Sequence, residues 1–217
     1  MAFKETTTKE KILSAIRNAL ITKKDNPFGH VKFDQPVLID LEDEKEVVFA
    51  SKLLANNGKF VYCENESAAL DILKTLMVEK KWESVFTPDG KLIELLQKGN
   101  VSVLFDEGDF LDQKAGITRC EFLIARFGSV MVSSALNAGR RMFVYPETHI
   151  VLAYASQVVA ELGDAIRTMK TRYGTRLPSQ ITVITGPSRT ADIEKTLVMG
   201  AHGPKELYVF MIDDLLA

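Results

Sequence analysis

The chain has 217 residues, of which 46% are hydrophobic, enough for the core of one large domain or of one domain with a helical appendage. Its 27 basic and 29 acidic residues leave a formal net charge of -2, which provides no basic field to recruit nucleic acid or anionic lipid. The N-terminus lacks the apolar core of a signal peptide, and no run approaches the roughly 18 apolar residues of a membrane span, so we expect a soluble, cytoplasmic protein.

A short amphipathic helix is predicted at the N-terminus, beginning near Thr7 or Thr8. The following stretch, TKKDNPFGHVKFDQP, is polar, holds two prolines and a glycine, and has no period, as is typical of a linker. We therefore divide the chain into an N-terminal helix and linker, residues 1–36, and an α/β domain, residues 37–217. The residues that form the apolar face of this helix are Ile12, Leu13, Ile16, Ala19 and Leu20.

From Val37 onward, strand-like and helix-like runs alternate. The helical patterns are EKEVVFASKLLANNG, SAALDILKTLMVEKK and GKLIELLQKG, and the runs KFVYC, SVFTP and VSVLF resemble strands. This alternation predicts an α/β fold, a mostly parallel sheet with helices on both faces. No Gly-rich dinucleotide fingerprint or P-loop sequence follows these strands, which disfavours both of those nucleotide-binding modes.

The second half of the chain begins with three strand-like runs, VMVSS, RMFVYP and HIVLAY, which suit hairpins or an insertion into the sheet. SQVVAELGDAIRTMKTRYG predicts a long amphipathic helix. A strand, SQITVIT, and a helix, TADIEKTLVMG, are predicted next, and ELYVFMID is the last predicted strand.

A Gly-Pro turn, within ITGPSRTADIE, falls at the predicted junction between that strand and that helix, where free backbone N–H groups attract anions. Ser188 or Thr190 could cap the helix, Arg189 adds a positive charge, and Gly186 permits close approach. These residues are therefore candidates for binding a phosphate or carboxylate. A capped turn without a ligand explains the same residues.

Three motifs in order, AGITRCEFLIARFGSVMVSS, YPETHIVLA and TVITGPSRTADIEKTLVMGAHGPKELYVFMID, resemble the LUD domain, the family of lactate-utilisation protein C. The resemblance implies a fold like that of ribose-5-phosphate isomerase, glucosamine-6-phosphate deaminase (NagB/RpiA) and the coenzyme A transferases. It also implies operation beside two iron–sulfur partners in oxidation of L-lactate to pyruvate. Many members carry A-E-T-G-[ST] where this chain has Ala125-Arg126-Phe127-Gly128-Ser129, so a mechanism that uses that glutamate has no residue here.

Thr118, Arg126, Gly128 and Ser129 are predicted to form a second polar wall opposite the Gly-Pro-Ser turn, since open α/β sheets bind ligands at the carboxyl ends of their strands. The alternative is a surface ion pair for Arg126 and a plain turn at Gly128 and Ser129. The segment NAGRR, residues 137–141, offers two guanidinium groups for an acidic partner or a nucleotide, or is an ordinary solvated turn.

His149 and His202 are candidate proton carriers near neutral pH, although structural hydrogen bonding is the commoner use of such residues. We expect no metal site from two histidines without a third ligand. Glu121 and Glu147 are expected to be solvated surface carboxylates.

The only two cysteines, Cys63 and Cys120, cannot hold a cubane iron–sulfur cluster, which takes about four cysteine ligands. We expect no cofactor in this chain and iron–sulfur clusters on partner subunits. Two functions remain open: an accessory subunit of an iron–sulfur lactate-oxidising system that binds a small anionic metabolite or nucleotide, or a stand-alone enzyme of this fold acting on a sugar phosphate, an acyl-coenzyme A or a folate.

Overall fold

A computed structural model describes residues 7–21, 28–30, 40–106, 108, 113–190 and 198–215. The chain divides into two units, Met1–Asp40 and Leu41–Ala217. Most of the predicted linker lies outside the described residues, as does the side chain of Leu20.

The first unit contains helix α1, Thr8–Ile21, which begins where the sequence predicted. Its start is a capping box: the Glu10 N–H donates to the Thr7 hydroxyl at 3.3 Å, and the Thr7 N–H donates to the Glu10 carboxylate at 2.8 Å. Ile12, Leu13 and Ile16 are about half exposed on this helix, at 55%, 48% and 52%.

The described part of the second unit has four α-helices and twelve strands. The helices are α2 (Lys45–Ala55), α3 (Glu66–Lys80), α4 (Gly90–Lys98) and α5 (Leu162–Tyr173). The strands are β1 (Lys59–Cys63), β2 (Val85–Phe86), β3 (Val103–Leu104), β4 (Ala115–Arg119), β5 (Phe122–Ile124), β6 (Ser129–Ser133), β7 (Thr148–Tyr154), β8 (Val158–Val159), β9 (Ile181–Ile184), β10 (Arg189–Thr190), β11 (Val198–Met199) and β12 (Glu206–Ile212).

The main sheet has six strands in the order β1-β12-β7-β4-β2-β3, and every pairing in it is parallel. Helices α3 and α4 start at side-chain caps, since the Asn65 amide oxygen accepts from the Ala68 N–H at 2.9 Å and the Asp89 carboxylate from the Lys91 N–H at 3.1 Å. One sheet face packs on these two helices, and the other packs on α2 and on a second sheet. The predicted α/β fold, a mostly parallel sheet flanked by helices, is confirmed.

The second sheet has the order β8-β5-β6-β9 and is mostly antiparallel. Of the three strand-like runs in the middle of the chain, VMVSS forms β6 and HIVLAY forms β7. The prediction for RMFVYP was wrong, because Arg141–Phe143 is a 3-10 turn. The chain reverses just before it, at Asn137 and Gly139, which have φ of 56° and 68°.

Helix α5 is shorter than its sequence pattern suggests. Val158 and Val159 pair with β5 as strand β8, so the helix begins only at Leu162. A capping box between Glu161 and Asp164 marks that start. The apolar periodicity upstream therefore belonged to a strand.

The helix predicted after β9 was also wrong at its start. Arg189 and Thr190 form strand β10, which pairs antiparallel with β11. Residues 191–197, where the rest of the predicted helix falls, lie outside the described residues. Ser188 is therefore not a helix cap, because the two residues that follow it form a strand.

Candidate functional site

A cavity of about 200 Å³ lies between the two sheets, and we call it the intersheet cavity. His149 near the start of β7 and Leu207 near the start of β12 contribute from the main sheet, and Val183 of β9 contributes from the second sheet. Two Gly-Pro loops close it, residues 186–188 and residues 202–204. The cavity thus gathers Gly186, Ser188, His149 and His202 from separate motifs.

His149 is the buried polar group of this cavity, with no exposed surface. Its Nε2 lies 2.8 Å from the hydroxyl of Thr118 on the neighbouring strand β4, while its Nδ1 has no hydrogen-bond partner among the described residues. Burial lowers the pKa of His149 to about 4, so the imidazole is neutral at pH 7. A neutral imidazole held at Nε2 offers Nδ1 to a ligand as a hydrogen-bonding group.

The turn that carries Ser188 is held by backbone contacts. The Ser188 N–H donates to the Pro204 carbonyl at 2.8 Å, and the Ser188 carbonyl accepts from the Gly200 N–H at 2.9 Å. These bonds join the two Gly-Pro loops, so that a Cβ on Gly203 would lie 3.1 Å from the Ser188 Cβ. The Ser188 hydroxyl takes no part in these bonds, and Ser188 lines the cavity.

Gly186 has a structural reason for being glycine. Its φ is 74°, and a Cβ there would lie 2.2 Å from the carbonyl oxygen of Asn56 at the end of α2. Gly128 has φ of 60° and lies against the backbone of the same helix, since a Cβ at this position would be 2.2 Å from the Leu53 nitrogen. At Gly186, the close approach that we expected for a ligand is the approach of α2, and the same helix approaches Gly128.

The predicted second wall is not assembled around the cavity. The Arg126 guanidinium pairs with the Glu161 carboxylate at 2.5 Å, and both side chains are 22% exposed, which fits the ion-pair alternative. The hydroxyl of Ser129 lies 2.7 Å from that of Thr185, so it joins β6 to the chain just before Gly186. Of the residues predicted for this wall, Thr118 contributes to the cavity, because its hydroxyl is hydrogen-bonded to His149.

The remaining candidates lie in different surroundings. Arg189 is exposed and Thr190 is half-buried, both on β10. Glu147 is exposed and pairs with Lys205 at 2.8 Å, as expected. Glu121 was predicted wrongly, because it is 1% exposed. Its carboxylate accepts hydrogen bonds from the side chains of Ser133, Arg172 and Tyr173 at 2.6, 2.6 and 2.7 Å.

Sequence reasoning missed Phe143 and Leu207, which line the intersheet cavity. Phe143 fell in the run interpreted as a strand, and its ring centroid lies 6.1 Å from that of His149. Pro204 could have been found, because the AHGP segment repeats the Gly-Pro pair of TGPS. Two such pairs with polar neighbours indicate two facing turns.

The cavity is lined by side chains that can form hydrogen bonds. His149, Ser188 and His202 are its polar side chains, and no carboxylate occurs among the described residues that line it. No trio of His, Cys, Asp or Glu suited to a metal ion occurs in the described part of the chain. Among the described helices, none has the length and apolar character needed to cross a membrane.

The comparisons with known proteins agree on one family. A model of the LUD domain matches residues 47–212. Lactate utilization protein C of Halalkalibacterium halodurans is 35% identical over 131 residues, and that of Bacillus subtilis is 33% identical over 144 residues. These alignments cover 57% and 65% of this chain and 57% of each relative, so the chain spans about half the length of the curated relatives it matches.

A solved structure supports the fold. The crystal structure of a DUF162 family protein from Deinococcus radiodurans superposes with a TM-score of 0.59, covering 78% of this chain and 96% of that one. The two sequences are 16% identical, so the likeness concerns the fold alone.

Proposed function

Because this chain belongs to the LUD domain family, we propose that it serves in lactate utilisation, as an accessory subunit of an iron–sulfur system that oxidises L-lactate to pyruvate. In this role it binds a small anionic metabolite in the intersheet cavity and leaves the redox chemistry to its partners. The names of the relatives, lactate utilization protein C, support the metabolic assignment. The cavity supports the binding role.

The single observation that carries the binding role is the unpartnered Nδ1 of His149. An unsatisfied polar atom with no exposed surface destabilises a protein by about 1 to 3 kcal/mol, so its presence calls for an explanation. A ligand carboxylate or hydroxyl in the cavity would supply the missing hydrogen bond. The Ser188 hydroxyl and the exposed His202 imidazole line the same space and can bind its other polar atoms.

Size and polarity favour a short hydroxy or keto acid. The volume of about 200 Å³ is below the roughly 300 to 1,000 Å³ of sites for drug-sized ligands, so a whole nucleotide does not fit in it. Phe143, Val183 and Leu207 provide apolar surface for the ligand's carbon atoms. His149 and Ser188 would bind its oxygens.

The two cysteines support placing the clusters on partner subunits. Cys63 and Cys120 are free and buried, and they pack in hydrophobic clusters on opposite faces of the main sheet. Burial raises the pKa of the Cys63 thiol to about 11, and burial also raises that of Cys120. Both are therefore neutral thiols at pH 7, whereas clusters are ligated by thiolates.

Calorimetric titration of the purified protein with L-lactate and pyruvate tests the binding role. We expect binding of at least one acid and a loss of about tenfold or more in affinity for Ser188→Ala and for His149→Gln, the effect of removing a hydrogen bond to a charged ligand. Ser51→Ala, an exposed serine on α2, is the matched control and should bind as the parent does. If neither acid binds, or if all variants bind with equal affinity, the cavity is not the site.

Reconstitution tests the partner role. The chain is expressed together with the iron–sulfur proteins proposed as its partners, and lactate oxidation is measured with and without it. We expect these proteins to co-purify with this chain and to oxidise lactate more slowly when it is omitted. Full activity without this chain would contradict an accessory subunit.

A further inference from the structure

A second and larger cavity, of about 540 Å³, lies beside the carboxyl ends of β2 and β3. Phe86, the last residue of β2, and Phe105, directly after β3, line it from the sheet. Gly139 and Arg140 line it from the segment that reverses the chain, and Met142 lines it from the 3-10 turn that follows. We call it the strand-end cavity; in open α/β sheets, ligands bind outside the carboxyl ends of the strands.

The floor of the strand-end cavity is apolar and firmly packed. Phe86, Ala138 and Met142 are 3%, 1% and 2% exposed and belong to the main hydrophobic core. Phe105 lines the cavity and is 47% exposed, so part of a large aromatic side chain is accessible there. A planar apolar group could stack on this ring without rearrangement of the core.

Positive charge lies at the same cavity. The Arg140 guanidinium donates to the Ser179 hydroxyl at 2.7 Å, a neutral partner, and it forms no ion pair with a described carboxylate. Arg141 also lines the cavity. Gly139 leaves room beside these arginines, because no atom lies within 4 Å of the position that a Cβ would occupy there; its φ is 68°. An anionic group placed there would meet guanidinium donors suited to phosphate oxygens.

We propose that the strand-end cavity binds a nucleoside phosphate, with the base against Phe105 and the phosphate on Arg140. The volume of about 540 Å³ is within the range of about 300 to 1,000 Å³ for ligands of this size, which the intersheet cavity is not. Inorganic phosphate alone would leave the phenylalanine surface unused, and a fatty acid would place its carboxylate on the arginine but bring no flat ring to Phe105. Only an anion that also carries a flat ring uses both.

The site is separate from the one in the proposed function. Met142 lines the strand-end cavity and the next residue, Phe143, lines the intersheet cavity, so the 3-10 turn lies between them. Nucleotide binding can therefore succeed or fail independently of lactate binding. Titrations with L-lactate and pyruvate accompany those with nucleotide, so that binding at the two cavities is distinguished.

The test is calorimetric titration of the full chain with ADP, with adenosine and inorganic pyrophosphate as separate arms. We expect ADP to bind at least about tenfold more tightly than either fragment, since it makes both the stacking and the charged contacts. Arg140→Gln and Phe105→Ala should each weaken ADP binding by about tenfold, and Arg140→Lys should weaken it less than Arg140→Gln because the charge remains. Binding of the short acids should not change in these variants.

Matched controls are available for both substitutions. Arg167→Gln removes a guanidinium that pairs with Asp164 on α5, and Phe127→Ala removes a phenylalanine that is 45% exposed. Both should bind ADP as the parent does, and melting curves verify that every variant is folded. The proposal is overturned if ADP does not bind, if pyrophosphate or dodecanoate binds as tightly as ADP, or if Arg140→Gln and Phe105→Ala bind ADP as tightly as the controls.

Discussion

The imidazole of His149 and the hydroxyl of Thr118 are hydrogen-bonded across two neighbouring parallel strands, with 2.8 Å between Nε2 and Oγ1. This bond leaves Nδ1 as the free end of a buried ring. The position of His149 therefore has consequences for both stability and binding.

His149 should make the protein less stable in mild acid. Its pKa is lowered by burial from 6.5 to about 4, so between these pH values the unfolded chain binds a proton that the folded chain does not. The free energy of unfolding should fall by on the order of 3 kcal/mol as the pH drops through this window, with no contribution from this group above it. Urea unfolding of the parent and of His149→Gln between pH 4 and pH 8 measures the difference.

His149→Gln should show the flatter dependence on pH. Ser188 lines the same cavity and carries no titrating group, so Ser188→Ala should keep the pH dependence of stability of the parent. Parallel pH profiles for the parent and His149→Gln would contradict the assignment.

Ser188→Ala should leave the stability of the free protein unchanged within about 0.5 kcal/mol. Its backbone, and not its hydroxyl, makes the hydrogen bonds to Pro204 and Gly200. A serine that capped a helix would instead lose about 1 kcal/mol on this substitution. Thermal melting without ligand distinguishes the two, and a loss of that size would restore the helix-cap interpretation.

Gly186→Ala should destabilise more than Gly139→Ala, although both glycines have positive φ. At Gly139 the added Cβ meets nothing within 4 Å, so only the backbone strain of about 1 to 2 kcal/mol remains. At Gly186 it would lie 2.2 Å from the Asn56 carbonyl oxygen, and we expect a loss of about 3 kcal/mol or more. Equal losses in denaturant titrations would mean that α2 does not approach this turn so closely.

Glu121→Ala should be strongly destabilising. The carboxylate is fully enclosed and its loss leaves the donors of Ser133 and Tyr173 without an acceptor, while the Arg172 side chain is 47% exposed and can turn to water. We therefore expect the lower end of the 3 to 5 kcal/mol typical of a broken buried pair, about 3 kcal/mol. Glu147→Ala, which removes an exposed ion pair with Lys205, should change stability by less than about 1 kcal/mol. Chemical denaturation of the two variants compares them, and similar small effects would contradict the burial of Glu121.

Deleting residues 1–40 should leave the α/β unit folded. The described members of its hydrophobic clusters lie from Leu41 onward, and the family match begins at residue 47. We expect a melting temperature within a few degrees of the parent, measured by calorimetry. If the truncated chain is insoluble or melts without cooperativity, the N-terminal unit is needed for folding.

The local pattern of the sequence was enough to predict helices α1 to α4, helix α5 apart from its start, and most of the strands. Asn65 and Asp89 begin α3 and α4 as side-chain caps, and Thr7 with Glu10 begins α1. Caps and apolar periods act within a few residues of the chain, so a single sequence carries them completely. The same motifs indicated the family and four of the residues that line the intersheet cavity.

The tertiary structure decided where those elements pair and what their polar groups meet. The strand β9 has a normal strand pattern, but its partner is β6 of the second sheet, about fifty residues earlier in the chain. Glu121 is buried because Arg172 and Tyr173 of α5 reach it, and Arg126 is an ion-pair partner because Glu161 lies beside it. The hydrogen-bonding of a side chain depends on groups that are distant in sequence and close only after folding, so the unpartnered Nδ1 of His149 could be found in the folded chain alone.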